Sequence, residues 1–400
     1  MIERAIFTAT VSTRTILLYG EPEATKILVK VLSSKDAKPT EYLLLMRQFY
    51  WRITFMNSKE RVYLALKHEK TDQVPRFVWL GTGTIKRLAK KLRLTPLELD
   101  LKFGNDILQT WVSINGEMAR DVPDNTEFTD EWGITWKREG DYNMVIDHPL
   151  RGKDLNFIKN YMLPDPFSPK RYESLEHLIK EYGDSYFIGA DVSGVLFEPA
   201  YHLKNMEELM IDMAMGNDEV NILLDKLSDF CIAVSIECIK RGADWIWMGD
   251  DLGSQNGMLM SPDMWRKYFK PRMKKIIDSI RAFKKDITIA YHSCGSIYPI
   301  VGDLIDIGIN VLNPIQESAQ GMDQEKIKME YGDRVTLMCG LDTQQFLINA
   351  TQQEVKEKTI EIINKLGYNG GFIFAASHHI QPDTPDENIF TLFETLDSYN

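Results

Sequence analysis

The hexapeptide Ala290-Tyr291-His292-Ser293-Cys294-Gly295 sets an imidazole and a thiol two residues apart, directly after the β-branched run Ile287-Thr288-Ile289. Alternation along an extended chain sends residues i and i+2 to the same side, so His292 and Cys294 can converge on one point. An imidazole beside a thiolate is the chemistry of a zinc site. Two donors leave such a site incomplete. A third stands near the C-terminus, where the apolar run 371–376 ends in Ser377-His378-His379. Neighbours on a strand point to opposite faces, so only one of these histidines can join the pair. His378 is the expected ligand because Ser377-His378 closes the apolar run, which leaves His379 to packing or to the substrate.

Those residues need a scaffold, and the rest of the chain supplies a repeating one. Short apolar or β-branched runs occur at 76–80, 186–190, 245–248, 287–291, 310–315, 335–338 and 371–375. Amphipathic stretches such as 262–283, 324–330 and 353–366 lie between them. Strands alternating with helical patterns read as βαβ units on a parallel sheet. Seven strands running one way point to an α/β fold of the (β/α)₈ barrel type. The polar residues gather where the strands end: Asp191, Asp250-Asp251, His292 with Cys294, Gln316-Glu317, Cys339 with Asp342, and His378-His379. That is the end at which barrel active sites are built. Asp191 also reads as an ordinary turn former, and Cys339 as inert packing.

Two regions break the pattern. Within 105–165, Glu131-Trp132-Gly133-Ile134-Thr135-Trp136-Lys137 alternates around a glycine like an exposed hairpin, and the region is expected to be an insertion beside the barrel mouth. Residues 1–55 carry eight Lys/Arg against five Asp/Glu, whereas the remainder has 39 against 53. They lack an apolar stretch followed by a small-residue cleavage site. They read as an N-terminal extension that packs poorly, with the barrel domain covering 56–400. Asn57 or Ser58 can cap a helix through Val62, Leu64, Ala65 and Leu66.

Composition excludes several classes of function. A formal charge of −11 is not the basic footprint of a nucleic-acid binder. No run of eighteen apolar residues occurs, so no membrane span is expected. The four cysteines (Cys231, Cys238, Cys294, Cys339) are too few and scattered for a disulfide framework, which suits a reducing cytoplasm. Cys231 and Cys238 fall in a helical-looking segment, 224–241, and read as packing.

From Met56 onward the chain resembles the uroporphyrinogen decarboxylase superfamily, which holds decarboxylases as well as zinc- and cobalamin-dependent methyltransferases. The resembling passages are 56–61 with Asp72-Gln73-Val74-Pro75, Gly249-Asp250-Asp251-Leu252-Gly253, Ser261-Pro262-Asp263-Met264, His292-Ser293-Cys294-Gly295, Asn313-Pro314-Ile315-Gln316, and 370–388. The resemblance implies a (β/α)₈ barrel. Decarboxylases of the family hold substrate carboxylates with an N-terminal arginine-rich motif, and here Phe77-Val78-Trp79-Leu80-Gly81-Thr82-Gly83-Thr84 has no arginine. Methyltransferases of the family bind zinc through a His-x-Cys pair and a third ligand near the last strand, commonly cysteine, which implies His292, Cys294 and His378. One thiolate and two neutral imidazoles would leave Zn²⁺ near +1, a stronger Lewis acid than a two-thiolate site.

The expected activity is methyl transfer between a small methylated substrate, a methoxylated aromatic being one kind, and methylcobalamin or another corrinoid on a partner protein. Asp250 or Asp251 would orient a ligand or relay a proton. Asp191 and Gln316 would line the substrate pocket, and Trp79, Trp245 and Trp247 would meet a flat substrate or the corrin face. Metal-free decarboxylation of uroporphyrinogen and non-catalytic corrinoid or tetrapyrrole binding are the alternatives. Members of the family occur as monomers and dimers.

Overall fold

The computed structural model describes residues 7–11, 14–18, 56–114, 122–140 and 142–399. In chain order the strands are β1 (Phe7–Val11), β2 (Arg14–Leu18), β3 (Ile107–Trp111), β4 (Glu127–Thr129), β5 (Thr135–Glu139), β6 (Tyr142–Asp147), β7 (Phe187–Asp191), β8 (Trp245–Gly249), β9 (Gly253–Ser254), β10 (Gly257–Met258), β11 (Thr288–His292), β12 (Val311–Asn313), β13 (Thr336–Leu341) and β14 (Phe372–Ala376). β1 and β2 pair as an antiparallel hairpin. Apart from that hairpin, the expectation for residues 1–55 lies outside the described residues.

Seven strands form one parallel sheet in the order β14-β13-β12-β11-β8-β7-β3. Residues 76–80 close it. Phe77 N donates to Phe374 O at 2.9 Å and Phe374 N to Pro75 O at 2.8 Å, while Asp106 N on the other flank donates to Arg76 O at 2.9 Å. This eighth position is an extended segment bridged to the last strand at Arg76 and Leu80 rather than a regular strand. The result is a (β/α)₈ barrel.

Side chains, not a channel, fill the barrel. Phe77, Ile107, Phe187, Trp245, Met338 and Ile373 are all buried in one cluster, as expected where alternate residues of every strand point inward. Trp245 fits because Gly189 on the adjacent strand has no Cβ; one built there would collide with the indole nitrogen. The expectation that Trp245 meets a substrate is corrected accordingly: it is fully buried, and its Nε1 donates to Gln109 Oε1 at 2.9 Å.

Helices cover the outside. Asp218–Arg241 buries both Cys231 and Cys238 along its inner face. Ser58–Leu66 begins at Asn57, whose side chain caps Glu60 N while Glu60 reaches back to Asn57 N, a reciprocal cap worth about 1 kcal/mol. The region 105–165 differs from expectation at its start. Ile107–Trp111 belongs to the main sheet, paired in parallel with β7. The excursion proper is the antiparallel sheet β4-β5-β6, turning at Gly133 with φ of 75°.

Candidate metal centre

Three strand ends converge. His292 is the last residue of β11 and lies in register with Gly249 of β8 and Asn313 of β12. A Cβ at Gly249 would stand 2.7 Å from His292 O, so glycine is what lets β8 approach this closely. Beyond His292 the chain turns through Gly295, whose φ of 77° suits glycine and whose α-carbon abuts the backbone of Gly253. Ser293 and Ser377, each just past a strand, tie down neighbouring loops: Leu252 N donates to Ser293 Oγ at 3.1 Å and Thr343 N to Ser377 Oγ at 3.1 Å.

The donor atoms of His292, Cys294 and His378 all lie within 4.8 Å of one another. Cys294 Sγ is 3.3 Å from His292 Nε2. The other ring nitrogen, Nδ1, donates to Asn313 Oδ1 at 2.6 Å. The orientation of that amide is fixed by its NH₂, which donates to Met338 O at 2.9 Å. The hydrogen therefore sits on Nδ1, and Nε2 keeps its lone pair toward the cluster, the arrangement metal-binding histidines use. Burial, and then His292 nearby, lower the pKa of His378 to about 4, so it is neutral with a lone pair free near neutral pH. Burial, and then the Asp251 carboxylate, push the Cys294 thiol well up. A thiol held protonated by burial and a neighbouring anion becomes a thiolate when a cation arrives to offset both. One thiol, two imidazoles and a nearby carboxylate are a donor set that could hold a divalent metal such as zinc.

The two expected catalytic aspartates part company. Asp251 faces the cluster: its Oδ1 accepts from Cys294 N at 2.8 Å and lies 3.6 Å from His292 Nε2. Asp250 turns away, accepting from Leu196 N at 3.1 Å and Glu198 N at 2.9 Å at the start of helix Phe197–Lys204. Those unsatisfied N–H groups favour an anion, while complete burial raises the carboxyl to about 7.

A cavity of about 260 Å³ opens beside the cluster, walled by Trp79, Trp111 and Trp247 and reached by Arg138 and Tyr142 from the excursion. Trp79 packs 4.9 Å from Trp247 and 5.0 Å from His379, ring centre to ring centre. His378 joins His292 and Cys294, while His379, expected to pack or to face the substrate, lines the cavity against Trp79; β14 ends at Ala376, so both stand beyond the strand. Asp191 accepts from Gln109 Nε2 and Ser193 N, each at 2.9 Å, and lines an adjoining cavity rather than this one. Gln316 accepts from Gly295 N at 2.9 Å, bracing the cysteine turn, and faces a third cavity. Cys339 is buried in the core outside the barrel, away from the donors. Asn313 carries no expectation from sequence, since its role depends on strand register.

Fold and site define a (β/α)₈ barrel with one thiol and two imidazoles, a group that could hold a metal ion, gathered at its mouth. The sequence model of the family described as uroporphyrinogen decarboxylase (URO-D) matches residues 123–399, and the chain belongs to that family. It is 26% identical over 356 residues to "Methylcobamide:CoM methyltransferase MtbA" of Methanosarcina mazei, covering 87% of this chain and 99% of that one. It is 27% identical over 263 residues to "Uroporphyrinogen decarboxylase" of Bacillus subtilis, covering 64% and 70%. Among solved structures, a methyltransferase from Methanosarcina mazei shares the fold with a TM-score of 0.66 at 20% identity, over 86% of this chain and 99% of that one. No described helix is long and apolar enough to cross a membrane.

Proposed function

We propose that this chain is a zinc-dependent methyltransferase that moves a methyl group between a small methylated substrate and the corrinoid of a partner protein. The observation that carries this reading is the grouping of His292, Cys294 and His378 at the barrel mouth, in a chain similar throughout to a methylcobamide:CoM methyltransferase. Zinc at these three donors would supply Lewis acidity toward a substrate heteroatom at an open fourth position. Asn313 holds His292 in the tautomer that presents Nε2. Cys294 gives up its proton on loading, so metal uptake releases acid. Asp251 adds negative charge beside the cation and steadies the Cys294 amide. The tryptophan walls exclude water and suit an apolar or flat methyl carrier such as a methoxylated aromatic. A cobalt(I) corrinoid carried by the partner would supply the electron pair for the new carbon–cobalt bond, the heteroatom would keep the pair of the broken methyl bond, and the reverse transfer would return both.

Zinc-loaded protein supplied with methylcobalamin and a thiol or phenolate acceptor is expected to consume methylcobalamin, read from its visible spectrum, and His292→Ala to stop the reaction. Full turnover by His292→Ala, or none by the wild type, contradicts the reading.

A further inference from the structure

The metal cluster stands between two cavities of different chemistry. Asp251, His378, Tyr142 and Gln381 face both, and Tyr142 Oη donates to Gln381 Oε1 at 3.2 Å as a bar between them. On one side lies the tryptophan-walled cavity of about 260 Å³. The other is larger, about 550 Å³, and is lined by the side-chain amides of Gln255, Gln316, Gln344, Gln345 and Gln381. We infer that this second cavity seats the macrocycle of the corrinoid and recognises it through the primary amides on the ring's periphery. The inference rests on the methyl-transfer reading above and names where its second substrate binds.

The amides form a connected row with capacity to spare. Gln344 Oε1 accepts from Gln255 Nε2 at 3.2 Å and from Gln316 Nε2 at 3.3 Å. Gln316 Oε1 in turn accepts from Gly295 N at 2.9 Å, so the row is anchored on the turn that carries Cys294. Among the described residues, the NH₂ group of Gln344 has no protein partner, and Gln255 and Gln344 are exposed. A primary amide offers two donors and an acceptor, which is the complement of another primary amide.

Charge selects the class of ligand. The described residues that line this cavity include no lysine or arginine, while Asp251 and Asp383 are acidic. A macrocycle with carboxylate arms needs cations for its arms; here it would meet two carboxylates and neutral amides. A corrin ring, whose arms end in amides, loses nothing to charge and gains donors and acceptors. Seated there, it would look past the Tyr142–Gln381 bar toward a substrate beside His378, the adjacency that methyl exchange requires.

The test is binding of methylcobinamide, an amide-armed corrin free of any partner protein, to the zinc-loaded full chain. Cobyrinic acid heptacarboxylate, the same ring with acid arms, is measured beside it. Methylcobinamide is expected to bind at least tenfold more tightly than the acid-armed ring, on the order of the loss expected for unpaired charged arms. The double variant Gln255→Ala/Gln344→Ala should weaken methylcobinamide binding about tenfold with zinc content unchanged, and Gln344→Lys should raise affinity for the acid-armed ring. Equal affinity of wild type and double variant, no binding of methylcobinamide, or preference for the acid-armed ring overturns the inference. Methyl transfer is followed in the same samples. If the wild type transfers methyl while the glutamine substitutions leave corrin affinity untouched, only the inference falls; if it transfers none from any donor, the methyl-transfer reading falls as well.

Discussion

The two ends of the barrel treat their polar residues in opposite ways. Where the strands start, charged side chains are matched. Arg61 pairs with Asp72 at 2.8 Å and with Asp106, the residue before β3. Tyr63 and Lys59 both hold Asp244, the residue before β8, and Asp244 also accepts from Ile188 N. Lys328 donates to Gly370 O at 2.7 Å just ahead of β14. Where the strands end, the donor atoms of His292, Cys294 and His378 all lie within 4.8 Å of one another. A satisfied network closes a fold; a group of donor atoms that could hold a cation is what a site requires.

If that contrast is sound, substitutions at the two ends separate stability from metal binding. Arg61→Leu leaves Asp106 buried without its cation and should cost about 3–5 kcal/mol of stability in urea unfolding. Its zinc content per folded chain should be unchanged; loss of zinc at full stability would break the contrast. Asn313→Ala should do the reverse, weakening zinc affinity by about 10–100-fold in competition with a chelator, because His292 loses the partner that sets its tautomer.

The adjacent aspartates sharpen the comparison within one loop. Asp250→Asn should cost about 1–3 kcal/mol, since backbone N–H groups at a helix start lose one of the two carboxyl oxygens that accept from them, and should keep its zinc. Asp251→Asn should unfold within about 0.5 kcal/mol of wild type and bind zinc more weakly. Matching effects at both positions would contradict the geometry.

Buried imidazoles add a slope with pH. Burial is the larger cause of a lowered pKa at both His202, about 3, and His378, about 4, against 6.5 when unfolded. Between pH 6.5 and 4 the unfolded chain therefore binds two protons that the native chain excludes. Asp250 opposes this, because its native carboxyl, raised to about 7 from 3.8, holds one proton that the unfolded chain releases. Asp106 and Asp130, whose carboxyls burial also raises, act in the same sense as Asp250, so the part due to an imidazole is read as a difference between wild type and variant. As the pH falls, metal-free His202→Gln should lose less stability than metal-free wild type, by up to about 1.4 kcal/mol per pH unit. Urea midpoints of both proteins at pH 6.5, 5.5 and 4.5 decide it; a variant midpoint that falls as steeply as that of the wild type is the opposite result.

Much of this was legible in the residues because β-branched runs ending in polar groups reveal both a strand and the end where its chemistry sits. The runs at 245–248 and 287–291 lead to Asp251 and His292 as observed. What stayed hidden has physical causes. Ile107–Trp111 escapes notice as a barrel strand because Gln109 interrupts its apolar run, and that glutamine is there to bridge Trp245 and Asp191 inside the barrel. Asp250 and Asp251 cannot be told apart by type, since their facing depends on how the loop leaves β8. Asn313 acquires its role from a strand register joining residues 21 apart in sequence.

The most direct test is elemental analysis of purified wild type and Cys294→Ser. About one zinc per wild-type chain, lost or strongly reduced in the folded variant, is the predicted result. Folded wild-type protein that takes up no zinc, or a variant that binds it as tightly, would contradict the assignment of His292, Cys294 and His378 as a metal centre.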